Sequence, residues 1–283
     1  MIKYINNIIC LTLLLSFSLP IPAIEPFTFA KYNPSPYALI LNKYVNDDGL
    51  VDYKSLKRNR KLLDEYLNSL TKLDPKEFEK WDQPEKIAFW LNAYNAITLQ
   101  TIINHYPIKS KFIANLRGFP NGIRHISKAW TEKTHSVMGI KYSLDDIEHQ
   151  ILRKEFNEPR IHMALVCAAI SCPNLRREPF TGNKLNQQLT EQSFKFSSTL
   201  TKFKIDINQK TVYLSKIFDW FGDDFIKSFT PKSDFGSHSK KFKASLNFMA
   251  AHLTNDADLD FLKKGDYQVK YLHYNWGLNE QKN

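Results

Sequence analysis

Residues 84–106 read PEKIAFWLNAYNAITLQTIINHY and predict one long, largely apolar helix. Asp82 is suited to cap its first turn, and Pro107 is suited to end it. Asn92 and Asn95 lie three positions apart on one face of this helix, among large apolar side chains. A buried amide without partners costs about 1–3 kcal/mol. We therefore expect these two amides either to hold the backbone of a neighbouring segment or to donate hydrogen bonds into a site.

The segments on either side predict a helix-rich chain with few strands. Further helices are expected at residues 35–45, 53–70, 143–156, 184–197, 215–229 and 242–253. Two short strands are expected around Asn208 and Gln209, and one more near the C-terminus. Because long capped helices dominate and the strand signals cluster late, the sequence predicts an α+β class. No long linker, internal repeat or Gly-rich phosphate loop interrupts it, which favours one domain. The expected architecture is a helix-rich single domain with a small, mostly antiparallel sheet.

The first 23 residues have the composition of a secretory signal peptide. One lysine precedes an apolar run from Ile8 to Leu19, and prolines and the small residue Ala23 follow it. The run is shorter than the roughly 20 residues that a bilayer span needs. We expect cleavage after Ala23, export to the periplasm or the extracellular space, and a mature domain of residues 24–283 with no stable membrane span. An uncleaved anchor and a lipid anchor on Cys10 are the alternatives.

The chain is basic, with 39 lysines and arginines against 29 acidic residues and a formal net charge of +10. The positive residues are spread along the sequence in short clusters. This modest excess is typical of a solvated basic surface. We therefore expect no nucleic-acid partner.

The stretch RIHMALVCAAISCPNL, residues 160–175, holds two cysteines five positions apart. Its apolar pattern fits an interior strand or a core helix equally well. In a helix the two Cα atoms would lie about 8–9 Å apart, and farther in a strand, whereas a disulfide needs about 7 Å or less. A bond between Cys167 and Cys172 therefore requires a chain reversal between Ala168 and Ser171, and we expect two free thiols.

Of these two cysteines, Cys172 is the candidate for reactivity. It precedes Pro173 in a turn that ends an apolar element, where rigid scaffolds often present reactive groups. Cys167 lies inside the apolar run, where a thiol behaves as a small hydrophobic side chain. A structural role for both cysteines is the alternative.

The predicted helix after Ser143 places a carboxylate beside an imidazole. Asp145 and His149 are four positions apart and share a helix face, so the carboxylate can hold the imidazole in one tautomer. Glu148 is turned about 100° around the helix from His149 and is less suited to this role. A solvent-exposed pair with little effect is the alternative.

Six motifs in this order resemble the bacterial members of the domain of unknown function 547 family. They are DGLVDYKSL (48–56), FWLNAYNAITLQTII (89–103), YSLDDIEHQILR (142–153), PRIHMALVCAAISCPNL (159–175), IFDWFGDDF (217–225) and YNWGLN (274–279). The resemblance extends over nearly the whole predicted mature chain. It implies no settled biochemical activity.

The resemblance also implies which residues belong to the family motifs, namely Asn92, Tyr94, Asn95, Glu148, His149, Arg153, His162, Ser171, Cys172 and Pro173. A thiol, two imidazoles and two amides on separate elements are the ingredients of a thiol acyl-transfer site. The first hypothesis is therefore an exported cysteine-dependent hydrolase or acyl transferase acting on an amide or ester. Its catalytic group is Cys172 as nucleophile, His149 or His162 as base, and Asp145 or Glu148 as the orienting carboxylate. The expected binding residues are Asn92, Tyr94, Asn95, Arg153 and Ser171, with Asn95 as an oxyanion donor.

The second hypothesis is a non-catalytic binding or interaction module of the cell envelope, in which the same side chains shape a groove. Under both hypotheses the partner is a small-molecule or peptide-like ligand. A zinc site built from His149, His162 and Cys172 is a third alternative, because these are acceptable ligand types. No HxH, HExxH or CxxC spacing supports it, and we expect no metal and no cofactor.

Overall fold

The computed structural model describes residues 32–109, 121–230 and 235–282. The predicted signal peptide, residues 1–23, lies outside the described residues. Within the described ranges, no helix has both the length and the hydropathy needed to cross a membrane.

The longest helix, Gln83–His105, passes through the core and confirms the prediction for residues 84–106. Its first turn is closed by a reciprocal pair: the Asp82 carboxylate accepts the Glu85 N–H, and the Glu85 carboxylate accepts the Asp82 N–H. Every residue from Ile87 to Leu99 is buried. A helix that is buried on all sides must belong to the centre of the domain, and we refer to it as the central helix.

The other α-helices of the described residues are shorter. Those of four or more residues are Ser35–Tyr44, Tyr53–Arg58, Lys61–Thr71, Pro75–Glu79, Leu185–Ser197, Lys216–Phe221, Ile226–Phe229, Lys240–Ala250 and Asp256–Lys264. The helix predicted over residues 53–70 is divided at Asn59 and Arg60. The helix predicted over residues 215–229 contains a 3-10 turn at Gly222–Phe225.

Two small sheets complete the architecture. Their strands are β1 (His135–Val137) with β2 (Ile140–Tyr142), and β3 (Phe203–Asp206) with β4 (Thr211–Leu214) and β5 (Gln268–Tyr271). In the larger sheet β4 is central, because Val212 lies opposite Ile205 of β3 and opposite Val269 of β5. The β3–β4 pair is antiparallel, as predicted, and β5 joins it in parallel. The predicted helix-rich α+β class with a small, mostly antiparallel sheet is confirmed.

The stretch 160–175 is neither the interior strand nor the core helix that its apolar pattern suggested. A 3-10 helix, Pro159–Met163, is followed by irregular chain. An irregular buried segment must satisfy its backbone polar groups outside regular secondary structure. The Asn95 side chain satisfies two of these backbone groups. Its amide nitrogen donates to the Ala164 carbonyl at 3.0 Å, and its oxygen accepts the Val166 N–H at 2.9 Å.

A disulfide joins Cys167 to Cys172, so the expectation of two free thiols was wrong. The two Cα atoms are 6.2 Å apart because the chain reverses between them. Ala168 adopts a left-handed backbone with φ of 59°, and the Cys172 N–H donates to the Ala169 carbonyl at 3.0 Å. The expectation failed because it assumed regular secondary structure through a segment that forms a tight turn.

Candidate functional site

A cavity of about 470 Å³ opens between residues 145–149, the stretch 160–175 and the C-terminal segment 274–276. It brings together all five residues that the sequence nominated as catalytic, together with one nominated binding residue and one cysteine assigned to the core. These polar and sulfur-containing side chains are Tyr94, Asp145, Glu148, His149, His162, Cys167 and Cys172. We call this space the cleft.

The segment that supplies two of these residues is a π-helix, Asp146–Leu152. Ser143 and Asp146 form the predicted capping pair at its start, with the Ser143 N–H donating to the Asp146 carboxylate at 2.9 Å and the Asp146 N–H donating to Ser143 Oγ at 3.0 Å. A π-helix has a wider turn than an α-helix, so consecutive side chains are less separated around the axis. In this wider turn Glu148 and His149 both line the cleft.

Glu148 presents a buried carboxyl group to the cleft. Its residue is 8% exposed, and Oε2 accepts a hydrogen bond from the Tyr94 hydroxyl at 3.1 Å. Burial raises the pKa of Glu148 to about 7, against the opposing effects of the Tyr94 hydrogen bond and the Arg153 charge. The group therefore changes its protonation state close to neutral pH.

His149 is held in one tautomer by its neighbour Arg153. The Arg153 Nη1 lies 2.9 Å from His149 Nδ1, and a guanidinium can only donate, so Nδ1 accepts and Nε2 carries the hydrogen. Burial and the Arg153 charge lower the pKa of His149, which favours the neutral ring. Nε2 is 3.8 Å from Asp145 Oδ1, longer than a hydrogen bond, so this N–H can still donate to a ligand.

Asp224 is a residue that the sequence analysis missed. Its carboxylate accepts from Arg153 Nε at 2.6 Å, from Arg153 Nη2 at 2.9 Å and from His162 Nε2 at 2.8 Å. Burial acts to raise the pKa of Asp224, but the hydrogen bonds from His162 and Arg153 outweigh it and hold that pKa well below its usual value. The IFDWFGDDF motif was recognised, yet nothing in it distinguishes Asp224 from Asp223.

Arg153 and His162, both predicted site residues, therefore donate hydrogen bonds to Asp224. Arg153 was expected to bind a substrate, but its guanidinium is committed to Asp224 and His149 and it is not part of the cleft lining. His162 is buried and stacks on Phe221 with ring centroids 4.4 Å apart. Because its Nε2 faces Asp224, His162 contributes its ring to the cleft wall and its N–H to the carboxylate.

Tyr274, also missed, contacts the disulfide from the C-terminal segment. Its hydroxyl donates to Cys172 Sγ at 3.2 Å and lies 3.6 Å from Cys167 Sγ. A cysteine in a disulfide has no thiolate, so Cys172 is not a nucleophile in this oxidised form. Ser171 is not among the residues that line the cleft, and its Oγ accepts the Asn275 N–H at 2.9 Å.

The two helix amides, Asn92 and Asn95, hold the backbone of neighbouring segments. Asn92 donates to the Phe180 carbonyl at 2.8 Å and accepts the Phe180 N–H at 2.9 Å. Asn95 makes the equivalent pair with Ala164 and Val166. Of the two expectations for these amides, backbone anchoring is observed, and neither Asn92 nor Asn95 is among the residues that line the cleft.

Aromatic rings form one wall of the cleft. Trp276 packs at a ring-centroid distance of 4.6 Å from Tyr274 and 5.6 Å from Trp220. Trp130 meets Trp276 edge to face at 6.2 Å. Trp220 is 42% exposed, which is high for so large an apolar ring. This aromatic wall offers a flat apolar surface beside the polar residues of the cleft.

Within residues 32–109, 121–230 and 235–282, no group of three or more His, Cys, Asp and Glu side chains has the arrangement of a metal site. Two of the three zinc ligands considered from the sequence are bonded to other protein groups. Cys172 is bonded to Cys167, and His162 Nε2 is bound to Asp224.

Residues 78–196 match the family model described as "Protein of unknown function, DUF547". This match covers the second, third and fourth of the six motifs and supports the predicted assignment to the domain of unknown function 547 family. The matched region includes the central helix, the π-helix and the disulfide, whereas Asp224 and Tyr274 lie beyond it. No curated protein and no solved structure matches the chain.

Proposed function

We propose that the cleft is the active site of a hydrolase or acyl transferase in which Glu148 exchanges the proton. The observation that carries this proposal is a buried carboxyl group, with a pKa of about 7, facing a cavity that also holds a tautomer-locked imidazole. A general base or acid works best when its pKa is near the working pH. Groups with strongly shifted pKa values that face a cavity are candidates for catalysis.

The roles follow from the hydrogen-bond directions in the cleft. Ionised Glu148 accepts a proton from a water or a hydroxyl group that attacks the substrate carbonyl. The His149 Nε2–H donates to the negative charge that develops on the carbonyl oxygen. Arg153 holds His149 in that tautomer, and Asp224 in turn holds Arg153, so both are positioning residues. Cys172 is a nucleophile only in a reduced form of the protein.

The aromatic wall supports an amide or ester substrate with an aromatic or apolar group. Trp220 and Trp276 provide the apolar contact, and Glu148 and His149 lie on the polar side of the same cleft. The volume of about 470 Å³ fits a small molecule or the end of a peptide. We therefore propose a small-molecule or peptide-like partner.

Replacing Glu148 by Gln is expected to lower kcat/KM for p-nitrophenyl acetate by about 100-fold or more, because the base is lost. In the wild type, kcat/KM should rise with pH through an inflection near 7, since only the ionised carboxylate accepts a proton. Glu155→Gln is the matched control, because Glu155 is exposed on the turn that follows the π-helix. Equal rates in the wild type and the Glu148→Gln variant would contradict the proposal.

A non-catalytic binding module is the second candidate, and the exposed aromatic wall is the observation that favours it. In that case the polar groups only orient a ligand. Tryptophan fluorescence with N-acetyl-phenylalaninamide as probe separates the two functions. Binding that is lost in Trp220→Ala, with no turnover of any acyl substrate, would favour this candidate.

We infer that the protein is exported, from the signal-peptide composition of residues 1–23. The Cys167–Cys172 disulfide supports this inference, because disulfides persist mainly in oxidising compartments. Expression of residues 1–283 in a bacterial host is expected to give a periplasmic or extracellular protein whose first residue is Ile24. An intact mass that includes residues 1–23, found in the cytoplasmic fraction, would contradict export.

A further inference from the structure

The two cysteines of the Cys167–Cys172 disulfide differ in solvent exposure. Both line the cleft, but Cys172 is only 2% exposed whereas Cys167 is partly exposed. A thiolate that enters the cleft therefore meets the Cys167 sulfur first. In thiol–disulfide exchange the sulfur that is attacked and the sulfur that leaves are different atoms, so this difference fixes their roles.

The hydrogen bonds to the two sulfurs are also unequal. Cys172 Sγ is 3.2 Å from the Cys167 N–H donor and 3.2 Å from the Tyr274 hydroxyl. Within the part of the chain that the structure describes, the hydrogen-bond contact of Cys167 Sγ is the longer one of 3.6 Å with Tyr274. A neutral sulfur is a weak acceptor, but the same donors form charge-assisted hydrogen bonds once the sulfur is a thiolate. Cys172 is therefore the better leaving group.

Backbone hydrogen bonds, in addition to the disulfide, hold the turn between the cysteines. The Ile170 N–H donates to the Gly277 carbonyl at 2.8 Å, and the Asn279 N–H donates to the Ala168 carbonyl at 3.1 Å. These backbone hydrogen bonds attach the turn to the C-terminal segment on both sides. When the sulfur–sulfur bond opens, they keep Cys172 beside Tyr274, so the donors stay in place for the thiolate.

We propose that Cys167 and Cys172 form a thiol–disulfide exchange couple for a small thiol that enters the cleft. A thiolate attacks Cys167 Sγ, the sulfur–sulfur bond breaks, and its electron pair leaves on Cys172 Sγ. A second thiolate then attacks the mixed disulfide and releases a small-molecule disulfide and the Cys167 thiolate. Two thiols are oxidised to one disulfide while the protein disulfide is reduced, and the two protons from the thiols protonate the cysteines.

This activity goes beyond the acyl chemistry proposed above and uses a different part of the cleft. The exchange needs the Cys167–Cys172 pair and the Tyr274 hydroxyl, and it does not use Glu148. Reduction of the disulfide also changes the cleft, because it frees the Cys172 thiol that the first hypothesis from the sequence names as the nucleophile.

The test measures how fast reduced glutathione opens the disulfide in the folded full chain, with N-ethylmaleimide trapping and mass spectrometry to count free thiols. Tyr274→Phe is expected to slow the reduction about tenfold, because one of the two donors to the leaving sulfur is lost. Tyr271→Phe is the matched control and should react at the wild-type rate, because Tyr271 does not line the cleft. Reduction of Tyr274→Phe at the wild-type rate would overturn the proposal.

A second measurement keeps the proposal testable if Tyr274→Phe fails to fold. In the Cys167→Ser variant, the pH dependence of iodoacetamide alkylation reports the pKa of the Cys172 thiol. It is expected to lie at least one unit below the value of about 8.5 for a free cysteine. A value at or above 8.5 would overturn the proposal. The proposal would also be overturned if glutathione reduced the wild-type disulfide only after the protein had been unfolded in guanidinium. Neither assay uses an acyl substrate. A failure of the exchange proposal can therefore be distinguished from a failure of the acyl-transfer proposal.

Discussion

The Glu148→Gln variant is expected to be more stable than the wild type at pH 8.5, by about 2–3 kcal/mol, and equally stable at pH 4.5. The carboxyl of Glu148 is buried, which raises its pKa in the folded protein from 4.5 to about 7. Between these two values the folded state binds more protons than the unfolded state. The free energy of unfolding of the wild type therefore falls as the pH rises from about 4.5 to about 7.

Glutamine has the shape and neutrality of the protonated carboxyl group, and its oxygen can still accept the Tyr94 hydroxyl. The variant should therefore lack this pH dependence. Urea denaturation at pH 4.5, 7 and 8.5 measures the difference, with Glu155→Gln as the exposed control. A stability difference that does not change with pH would contradict the burial of a titrating carboxyl at this position. A gain in stability together with a loss of activity is typical of a site shaped for function.

The Asp224→Ala variant is expected to lower the free energy of unfolding by about 3–4 kcal/mol. The substitution removes three charge-assisted hydrogen bonds at once and leaves Arg153 and the buried His162 without their carboxylate. The pKa of Asp224 is depressed in the folded state, so its contribution is complete above the unfolded value of 3.8 and is lost as the pH falls below it. The difference between wild type and variant should therefore shrink at pH 2–3.

Asp223→Ala is the matched control for this variant, since Asp223 is the adjacent carboxylate and is exposed. It should cost less than about 0.5 kcal/mol. Asp224→Asn should lie between the two, because an amide oxygen still accepts one hydrogen bond. Urea denaturation at pH 7 provides the measurement. Equal losses for Asp223→Ala and Asp224→Ala would show that the Arg153–Asp224–His162 network does not stabilise the fold.

The parts of the fold that the sequence predicted well are those encoded by nearby residues. The capped central helix, the Ser143–Asp146 pair and the β3–β4 hairpin all depend on residues a few positions apart. The convergence of Glu148, His149, His162 and Cys172 on one cleft came from the family resemblance. Spacing alone did not indicate it, because these residues lie on different segments.

The parts that the sequence did not predict depend on distant contacts or on irregular backbone. Asp224 is 71 positions from Arg153, and Tyr274 is 102 positions from Cys172, so no periodicity connects them. The disulfide was missed because the turn needs a left-handed backbone conformation at Ala168. That conformation is uncommon for residues other than glycine, and nothing in the sequence indicates it here. The π-helix Asp146–Leu152 was not predicted either, because the sequence of residues 143–156 indicated an ordinary helix.

The central claim is that a carboxyl group in the cleft gains and loses its proton near neutral pH. A carbon-13 NMR titration of protein labelled at the glutamate side-chain carboxyl carbons tests it most directly. One resonance is predicted to titrate with a pKa of about 7 and to be absent from the Glu148→Gln spectrum. If the resonance that disappears in that variant titrates near 4.5 in the wild type, Glu148 is an ordinary carboxylate and the account is wrong.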